Sequence, residues 1–133
     1  MAAATPLYQI RLAVRRELED LTAGDTVIVA ASGGADSLAL AAALLPECKA
    51  LALRVIALII DHGLQKNSAD VAHEAKKELA KIGYDNIEIR RIKVEVTDGL
   101  EASARRARYA ALNDVANMHN AVAIFLGHTK DDQ

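Results

Sequence analysis

The stretch VIVAASGGADSLALAAALL, residues 27–45, decides the fold of this chain. It begins with small apolar residues, as a strand buried on both faces does. The tract SGGADS at 32–37 follows, and apolar residues then resume with the rhythm of a helix. In open α/β sheets, ligands bind where strands end at their carboxyl edge. The stretch therefore predicts an α/β fold with a ligand site in the loop after its first strand.

Strands and helices alternate along the rest of the chain, which predicts a doubly wound parallel sheet with helices on both faces. The charged third strand is expected near an edge. Pro46 and Gly24 are expected to end helices, and Val71 and Met118 to point inward. The sequence predicts helices at 6–23, 37–45, 68–82 and 100–119, and strands at 27–30, 54–60, 86–94 and 121–126.

The fourth strand is apolar on both faces, and no helix follows to cover it. We therefore expect residues 1–133 to be the N-terminal portion of a longer catalytic domain, truncated after the fourth strand. The exposed edge of that strand favours self-association, so a homodimer is an expected partner state.

Composition excludes several classes of protein. Hydrophobic residues make up 52% of the chain, charged residues 26%, and the net charge is -2, so no global basic field indicates nucleic-acid binding. Cys48 is the one cysteine, which excludes an internal disulfide and favours a reducing cytoplasm. No apolar run approaches the ~20 residues of a membrane span, and the first residues lack the order of a signal peptide.

The glycine loop has the parts of an anion site. Gly33 and Gly34 let the backbone turn tightly and approach a ligand, while the helix N-terminus and the Ser32 and Ser37 hydroxyls supply donors. A P-loop lysine and a dinucleotide fingerprint are both missing. Asp36 would repel a polyphosphate unless Mg²⁺ lay between them. In the alternative interpretation, Ser32 caps the helix and Asp36 complements its dipole, but a cap does not need two glycines.

This loop resembles the SGGxDS pyrophosphate loop of the N-type ATP pyrophosphatases, which cleave ATP to AMP and pyrophosphate while adenylating a substrate oxygen. Three further stretches are similar, in order and spacing, to the tRNA(Ile)-lysidine synthetases, and the similarity covers nearly all of residues 25–133. These stretches are IIDHGLQKNSADVA at 59–72, GLEASARRARYAAL at 99–112 and LGHTKDDQ at 126–133.

The resemblance implies ATP and Mg²⁺ as cofactors and a defined set of site residues. The implied nucleotide-binding residues are Ser32, Gly33, Gly34, Ala35, Asp36, Ser37, Asp61, His62, Gly63 and His128. The implied catalytic residues are Asp36, Arg105, Arg108, Asp131 and Asp132, with Asp36 and Asp132 as metal ligands.

The long helix carries Glu101, Arg105 and Arg108 on one face, with Arg106 pointing elsewhere. On this spacing alone, a solvated ion-pair stripe is the favoured interpretation. The ARxxRY pattern at 104–109, shared with the family, favours arginines that bind phosphate or a leaving group. Tyr109 fits either this pattern or core packing.

The other two stretches also leave alternatives. Asp61 either accepts a hydrogen bond from ribose or an amino group, or it belongs to an ordinary strand-end turn. His62 is either a general base or a hydrogen-bonded surface residue. Asp131 or Asp132 can share Mg²⁺ with Asp36 or take a proton from an amine, or they cap a following helix.

The resemblance implies that the wobble cytidine of a tRNA(Ile) with a CAU anticodon is adenylated, and that free lysine then attacks C2 to give lysidine, AMP and pyrophosphate. Two other functions stay open, a tRNA thiolase of the same superfamily and a nucleotide-binding module without catalysis. A thiolase needs thiol chemistry, for which Cys48 is poorly placed. With four aromatic residues and no tryptophan, the chain offers little surface on which to stack a base.

Overall fold

The computed structural model describes residues 6–32 and 34–126, in which helices and strands alternate as predicted. The elements in chain order are α1 (Pro6–Leu18), β1 (Thr26–Ala31), α2 (Ala35–Ala50), β2 (Arg54–Asp61), α3 (Ser68–Ile82), β3 (Ile87–Arg91), α4 (Leu100–His119) and β4 (Ala121–Leu126). None of the described helices is long and apolar enough to cross a lipid bilayer.

The four strands form one parallel sheet in the order β3-β2-β1-β4. Val27 of β1 lies opposite Val55 of β2 on one side and Ala123 of β4 on the other. The predicted α/β fold is thus confirmed, and β3 lies at an edge as expected. Because the chain passes from β1 outward on one side and later returns to its other side, the strand order reverses at β1. Ligands bind at such a reversal.

Helices cover both faces of the sheet because neighbouring strand residues point in opposite directions. Val27 and Val29 pack with α1, α2 and α3 on one face. Ile28 packs with Leu112 and Val115 of α4 on the other face. Complete burial of each such aliphatic side chain contributes ~1.5–3 kcal/mol, so both layers stabilise the sheet.

The prediction that Pro46 ends the second helix is wrong, because α2 continues to Ala50. A proline in a helix interior removes one backbone hydrogen bond and costs ~3 kcal/mol. Tertiary contacts offset this cost, since buried residues lie on both sides of Pro46. Glu47 also accepts hydrogen bonds from Arg15 Nε at 2.8 Å and Arg11 Nη2 at 2.9 Å, which join α2 to α1.

Three other details differ from the sequence-based expectations. Helix α1 ends at Leu18, well before Gly24. Val71 and Met118 are 45% and 61% exposed rather than inward. The buried stripe of α3 is Ala72, Ala75 and Leu79, one position around the helix from Val71. The stripe of α4 ends at Val115, one turn before the helix does. The third strand is also shorter than 86–94.

Candidate functional site

A cleft of about 690 Å³ opens at the carboxyl edge of the sheet, where β1, β2 and β4 end and α4 forms a wall. This volume lies within the usual range for small-molecule sites. Its apolar lining consists of Ala30, Ala31, Leu58, Ile60, Ala102, Ala104 and Leu126. Its polar lining consists of Ser32, Ser37, His62, Glu101, Arg105 and Arg108. The serines of the glycine loop and the basic face of α4 therefore share one cavity.

The loop after β1 is closed by hydrogen bonds between its own residues. The buried Ser37 hydroxyl donates to the Gly34 carbonyl at 3.0 Å and accepts from the Ser32 N–H at 3.1 Å. Ser32 Oγ lies 3.3 Å from Ser37 Oγ. The residue that caps α2 is Gly34, without a side-chain cap bond, so the interpretation of Ser32 as the helix cap is wrong.

Gly34 does not need to be glycine for the turn itself. Its φ of -72° and ψ of 162° are open to any residue, contrary to the expectation that the tight turn requires a glycine here. A Cβ at this position would lie 3.5 Å from Ser32 Oγ, which is an ordinary contact. What a Cβ would obstruct is the close approach of a ligand to the backbone at the start of α2. The glycine therefore fits an anion site better than a structural turn.

Ala35 and Asp36 are exposed in the first turn of α2, which Ser37 joins to the cleft, but neither of the two lines the cleft itself. The described residues contain no group of three or more His, Cys, Asp or Glu side chains that could hold a metal by themselves. A single carboxylate at this position would need phosphate oxygens or water to complete the coordination of Mg²⁺.

Tyr109 supports the two arginines of the cleft wall. The Arg105 guanidinium carbon lies 5.2 Å from the centre of the Tyr109 ring, and that of Arg108 lies 5.7 Å from it. Arg105 Nη2 also donates to the Tyr109 hydroxyl at 3.4 Å. The two distances from the guanidinium carbons to the ring centre are within the range of cation–π attraction. Glu101 lines the same wall, so the predicted common face of α4 is observed.

Arg106 points away from the cleft, as predicted, and fastens the loop before α4. It donates to Asp98 Oδ2 at 2.6 Å and Oδ1 at 2.7 Å, and to Thr97 Oγ1 at 2.8 Å. The Arg106 hydrogen bonds hold the pKa of Asp98 well below its usual range. Ser103 Oγ accepts from the Thr97 N–H at 3.1 Å. Sequence reasoning missed this network, although Thr-Asp-Gly before a helix is a common start signal.

Asp61 is buried at the end of β2 and takes part in the turn that follows. Its Oδ1 accepts from the Gly63 N–H at 3.0 Å. A hydrogen bond from Ser68, helped by the Gly63 N–H, lowers the pKa of this carboxyl. Gly63 adopts a φ of +66°, which favours glycine. The strand-end turn proposed as the alternative for Asp61 is therefore present.

His62 lines the cleft, and its Nδ1 accepts from the Leu64 N–H at 3.2 Å. A neutral ring with this bond carries its proton on Nε2. The residue then offers a hydrogen-bond donor, which favours ligand binding over a role as general base.

Four predicted site residues lie outside the described part of the chain: Gly33, His128, Asp131 and Asp132.

The chain is similar in sequence to known proteins. Residues 8–133 match the family described as the PP-loop domain. The tRNA(Ile)-lysidine synthase of Thermobifida fusca (strain YX) is 48% identical over 128 residues, which cover 96% of this chain and 40% of that protein. The corresponding synthase of Streptomyces coelicolor (strain ATCC BAA-471 / A3(2) / M145) is 41% identical, over 93% of this chain and 43% of that protein. The chain thus spans about two fifths of the length of these relatives.

A solved structure also shares the fold. The U34-tRNA thiolase NcsA from Methanococcus maripaludis, solved with its [4Fe-4S] cluster, superimposes with a TM-score of 0.74 at 24% sequence identity. The match covers 93% of this chain and 46% of the thiolase chain. At this identity the likeness supports the architecture of the sheet and its helices.

Proposed function

The chain belongs to the PP-loop domain family, and on this premise we propose that it is the nucleotide-binding portion of a tRNA(Ile)-lysidine synthetase. Residues 1–133 would form the N-terminal part of the catalytic domain, with further domains gripping the tRNA. The proposed substrates are ATP, free lysine and a tRNA(Ile) with a CAU anticodon. The proposed location is the cytoplasm.

The observation that carries this proposal is the shared cleft of the glycine loop and α4. Ser32 and Ser37 lie on one side and Arg105 and Arg108 on the other. Hydroxyls and a helix N-terminus suit the β- and γ-phosphates, and guanidinium groups suit charge that develops on the α-phosphate. A cleft with these two sides fits a reaction that breaks the bond between the α- and β-phosphates of ATP.

In the proposed reaction, the C2 carbonyl oxygen of the wobble cytidine attacks the α-phosphorus, and pyrophosphate leaves. The ε-amine of lysine then attacks C2, loses a proton, and AMP departs with the former carbonyl oxygen. Mg²⁺, held by Asp36 and phosphate oxygens, would neutralise the leaving pyrophosphate. Asp132 is proposed as a second ligand, and Asp131 or Asp132 as the proton acceptor.

A tRNA thiolase is the second candidate, because the thiolase fold resembles this one. Such an enzyme needs a reactive sulfur. Cys48 is buried in the core beside α1, and burial, together with the Glu47 carboxylate, raises the pKa of its thiol to about 11. A thiol with a raised pKa is a poor nucleophile. The third candidate, a nucleotide-binding module without catalysis, would bind ATP and release no pyrophosphate.

A homodimer through the outer edge of β4 is also proposed. This strand lies at the end of the sheet, and Val122 on it is 51% exposed. An unpaired strand edge with apolar side chains favours association with another chain.

The test is incorporation of labelled lysine into a tRNA(Ile) transcript by the complete protein. We expect incorporation that requires ATP and releases one AMP and one pyrophosphate per lysine. Incorporation should persist after Cys48→Ala, since this thiol has no role in the reaction. Sulfur transfer to the tRNA in place of lysine would support the thiolase, and ATP binding without pyrophosphate release would support the non-catalytic module.

A further inference from the structure

A second groove, of about 530 Å³, lies at the same edge of the sheet, beyond the ends of β2 and β3. It is lined by His62, Gly63, Leu64, Arg91, Ile92, Lys93 and Val94. His62 lines both this groove and the cleft described above. The two cavities therefore adjoin, and a ligand lying in the groove would reach the cleft beside His62.

The groove has two positive charges that form no ion pair with an acidic residue in the described part of the chain. Arg91 and Lys93 are exposed, and neither forms an ion pair with any residue within 6–32 and 34–126. The Arg91 guanidinium lies across Gly63, with Nη2 3.7 Å from where a Cβ on that glycine would stand. Asp61, whose pKa Arg91 helps to lower, is buried beneath the turn. The accessible surface of the groove is therefore cationic.

We propose that this groove binds backbone phosphates of the RNA substrate and leads its target nucleotide into the cleft. The inference rests on the proposed function, because it takes the second substrate to be a tRNA. Phosphate contacts position an RNA, and arginine and lysine are the residues that supply them. The chain has a net charge of -2, so attraction of a polyanion to this chain would come from a local basic patch of this kind.

The position of the groove separates it from the ATP phosphates. Arg91 ends β3, whereas the glycine loop follows β1, and β2 lies between them. Two strand spacings correspond to about 10 Å. A phosphate bound by Arg91 and Lys93 would therefore be distinct from a phosphate held by Ser32 and Ser37.

The experiment compares the complete protein with the double variant Arg91→Gln/Lys93→Gln, using a CAU anticodon stem-loop transcript of tRNA(Ile) as the probe. The dissociation constant is measured from ~50 to ~200 mM salt. Each lost phosphate contact removes about 0.7–0.9 from the slope of log affinity against log salt. Two contacts should lower the slope by about 1.4–1.8, so the advantage of the unsubstituted protein should shrink about tenfold across this range.

Two matched variants act as controls. Lys49→Gln/Arg54→Gln removes the same charges near the opposite edge of the sheet, where both residues are exposed, and should leave the slope unchanged. Arg91→Lys/Lys93→Arg keeps both charges and should retain the slope of the unsubstituted protein. A thermal melt of each variant checks that the fold is intact, which we expect because both groove residues are exposed.

An unchanged slope in the Arg91→Gln/Lys93→Gln variant would overturn the proposal. A loss of ATP affinity without a loss of RNA affinity would also overturn it, because the groove would then serve the nucleotide. Lysine incorporation by the unsubstituted protein is measured separately. It reports on the proposed function, so failure of that function and failure of the groove proposal are distinguished.

Discussion

Tyr109 connects the core of the molecule to the cleft. Its ring packs against the cluster of Leu112 and Val115 on one face of the sheet. The same ring lies next to the guanidinium groups of Arg105 and Arg108. Sequence reasoning left open whether this tyrosine packs in the core or belongs to the site. In the structure Tyr109 packs against the core and also contacts the two arginines of the cleft wall, so its rigid ring limits where their flexible side chains lie.

We predict different effects for two substitutions of Tyr109. Tyr109→Phe keeps the ring, so kcat for lysine incorporation should fall by no more than about fivefold, since the lost hydrogen bond from the Arg105 guanidinium is long, at 3.4 Å, and contributes ~1 kcal/mol or less. Tyr109→Leu removes the ring and cation–π contacts of ~0.5–1 kcal/mol each, so kcat should fall about tenfold with a smaller change in KM for ATP. Equal kcat values for the two variants would show that the ring does not position the arginines.

Asp36 is the proposed Mg²⁺ ligand that lies within the described part of the chain. Asp36→Asn should weaken ATP binding about tenfold or more when Mg²⁺ is present, because a charged metal ligand is lost, and should have little effect when the metal is chelated. Calorimetric titration of the complete protein measures both affinities. Asp70→Asn is the matched control, since Asp70 lies in the first turn of α3. A fall that is the same with and without the metal would contradict the assignment.

Helices α1 and α2 are joined by one buried carboxylate. Glu47 is buried, and the hydrogen bonds of Arg15 and then Arg11 lower its pKa in spite of the burial. Glu47→Gln should lower the free energy of unfolding by about 1–3 kcal/mol, because a charged hydrogen-bond acceptor is lost. Urea denaturation measures this loss. Glu74→Gln, which breaks an exposed pair with Lys77, should cost less than about 1 kcal/mol.

The same carboxylate makes stability depend on pH. Because the folded-state pKa of Glu47 lies below the unfolded value, its stabilisation is present above the ordinary glutamate pKa of about 4.3 and is lost as the pH falls through the folded value. The difference between the unsubstituted protein and Glu47→Gln should therefore shrink at acid pH. A difference that stays constant from neutral pH to about pH 3 would show that the ion pairs do not carry it.

Pro46 offers a second test, which measures the cost of a proline inside α2. The side chain is exposed inside α2, so Pro46→Ala should lose little packing and restore a backbone N–H to the helix. We expect the free energy of unfolding to rise by about 1–2 kcal/mol, below the full cost of a helical proline because the unfolded chain also gains freedom. Pro46→Gly should gain less than Pro46→Ala, since glycine is the poorer helix former. A fall in Tm for Pro46→Ala would contradict this account.

These elements show what sequence reasoning can reach. The strands at β1, β2 and β4 were predictable because continuous apolar runs of this length fit buried parallel strands, and α4 because apolar residues recur along it at helical spacing. The continuation of α2 past Pro46 was not predictable, because it depends on packing against α1, which local helix propensity does not describe. The face that Val71 occupies is likewise decided by how α3 lies on the sheet.

Some features of the candidate site were also predictable from the sequence, and others were not. The meeting of the glycine loop with Arg105 and Arg108 was predictable, because carboxyl ends of parallel strands share one edge and helical spacing sets one face. The pairing of Asp98 with Arg106 and the groove at Arg91 were not. Both depend on the path of the chain between β3 and α4, where the sequence has no regular period.

Because the four strands are parallel, the two proposed substrate surfaces of the molecule lie at the same edge of the sheet. The cleft lies where β1, β2 and β4 end, and the cationic groove lies beside β3. The chain covers about two fifths of the length of the relatives that it matches. We propose that these residues bind and activate the nucleotide, and that further domains of the complete protein provide much of the tRNA binding.

We propose that AMP is transferred to the cytidine carbonyl oxygen in this cleft before lysine attacks. To test this order, the complete protein is supplied with tRNA(Ile) labelled with ¹⁸O at C2 of the wobble cytidine, and both products are analysed by mass spectrometry. We expect the label to leave the RNA and to appear in AMP, while the nucleoside gains lysine. Unlabelled AMP, or a nucleoside that has gained sulfur in place of lysine, would contradict it.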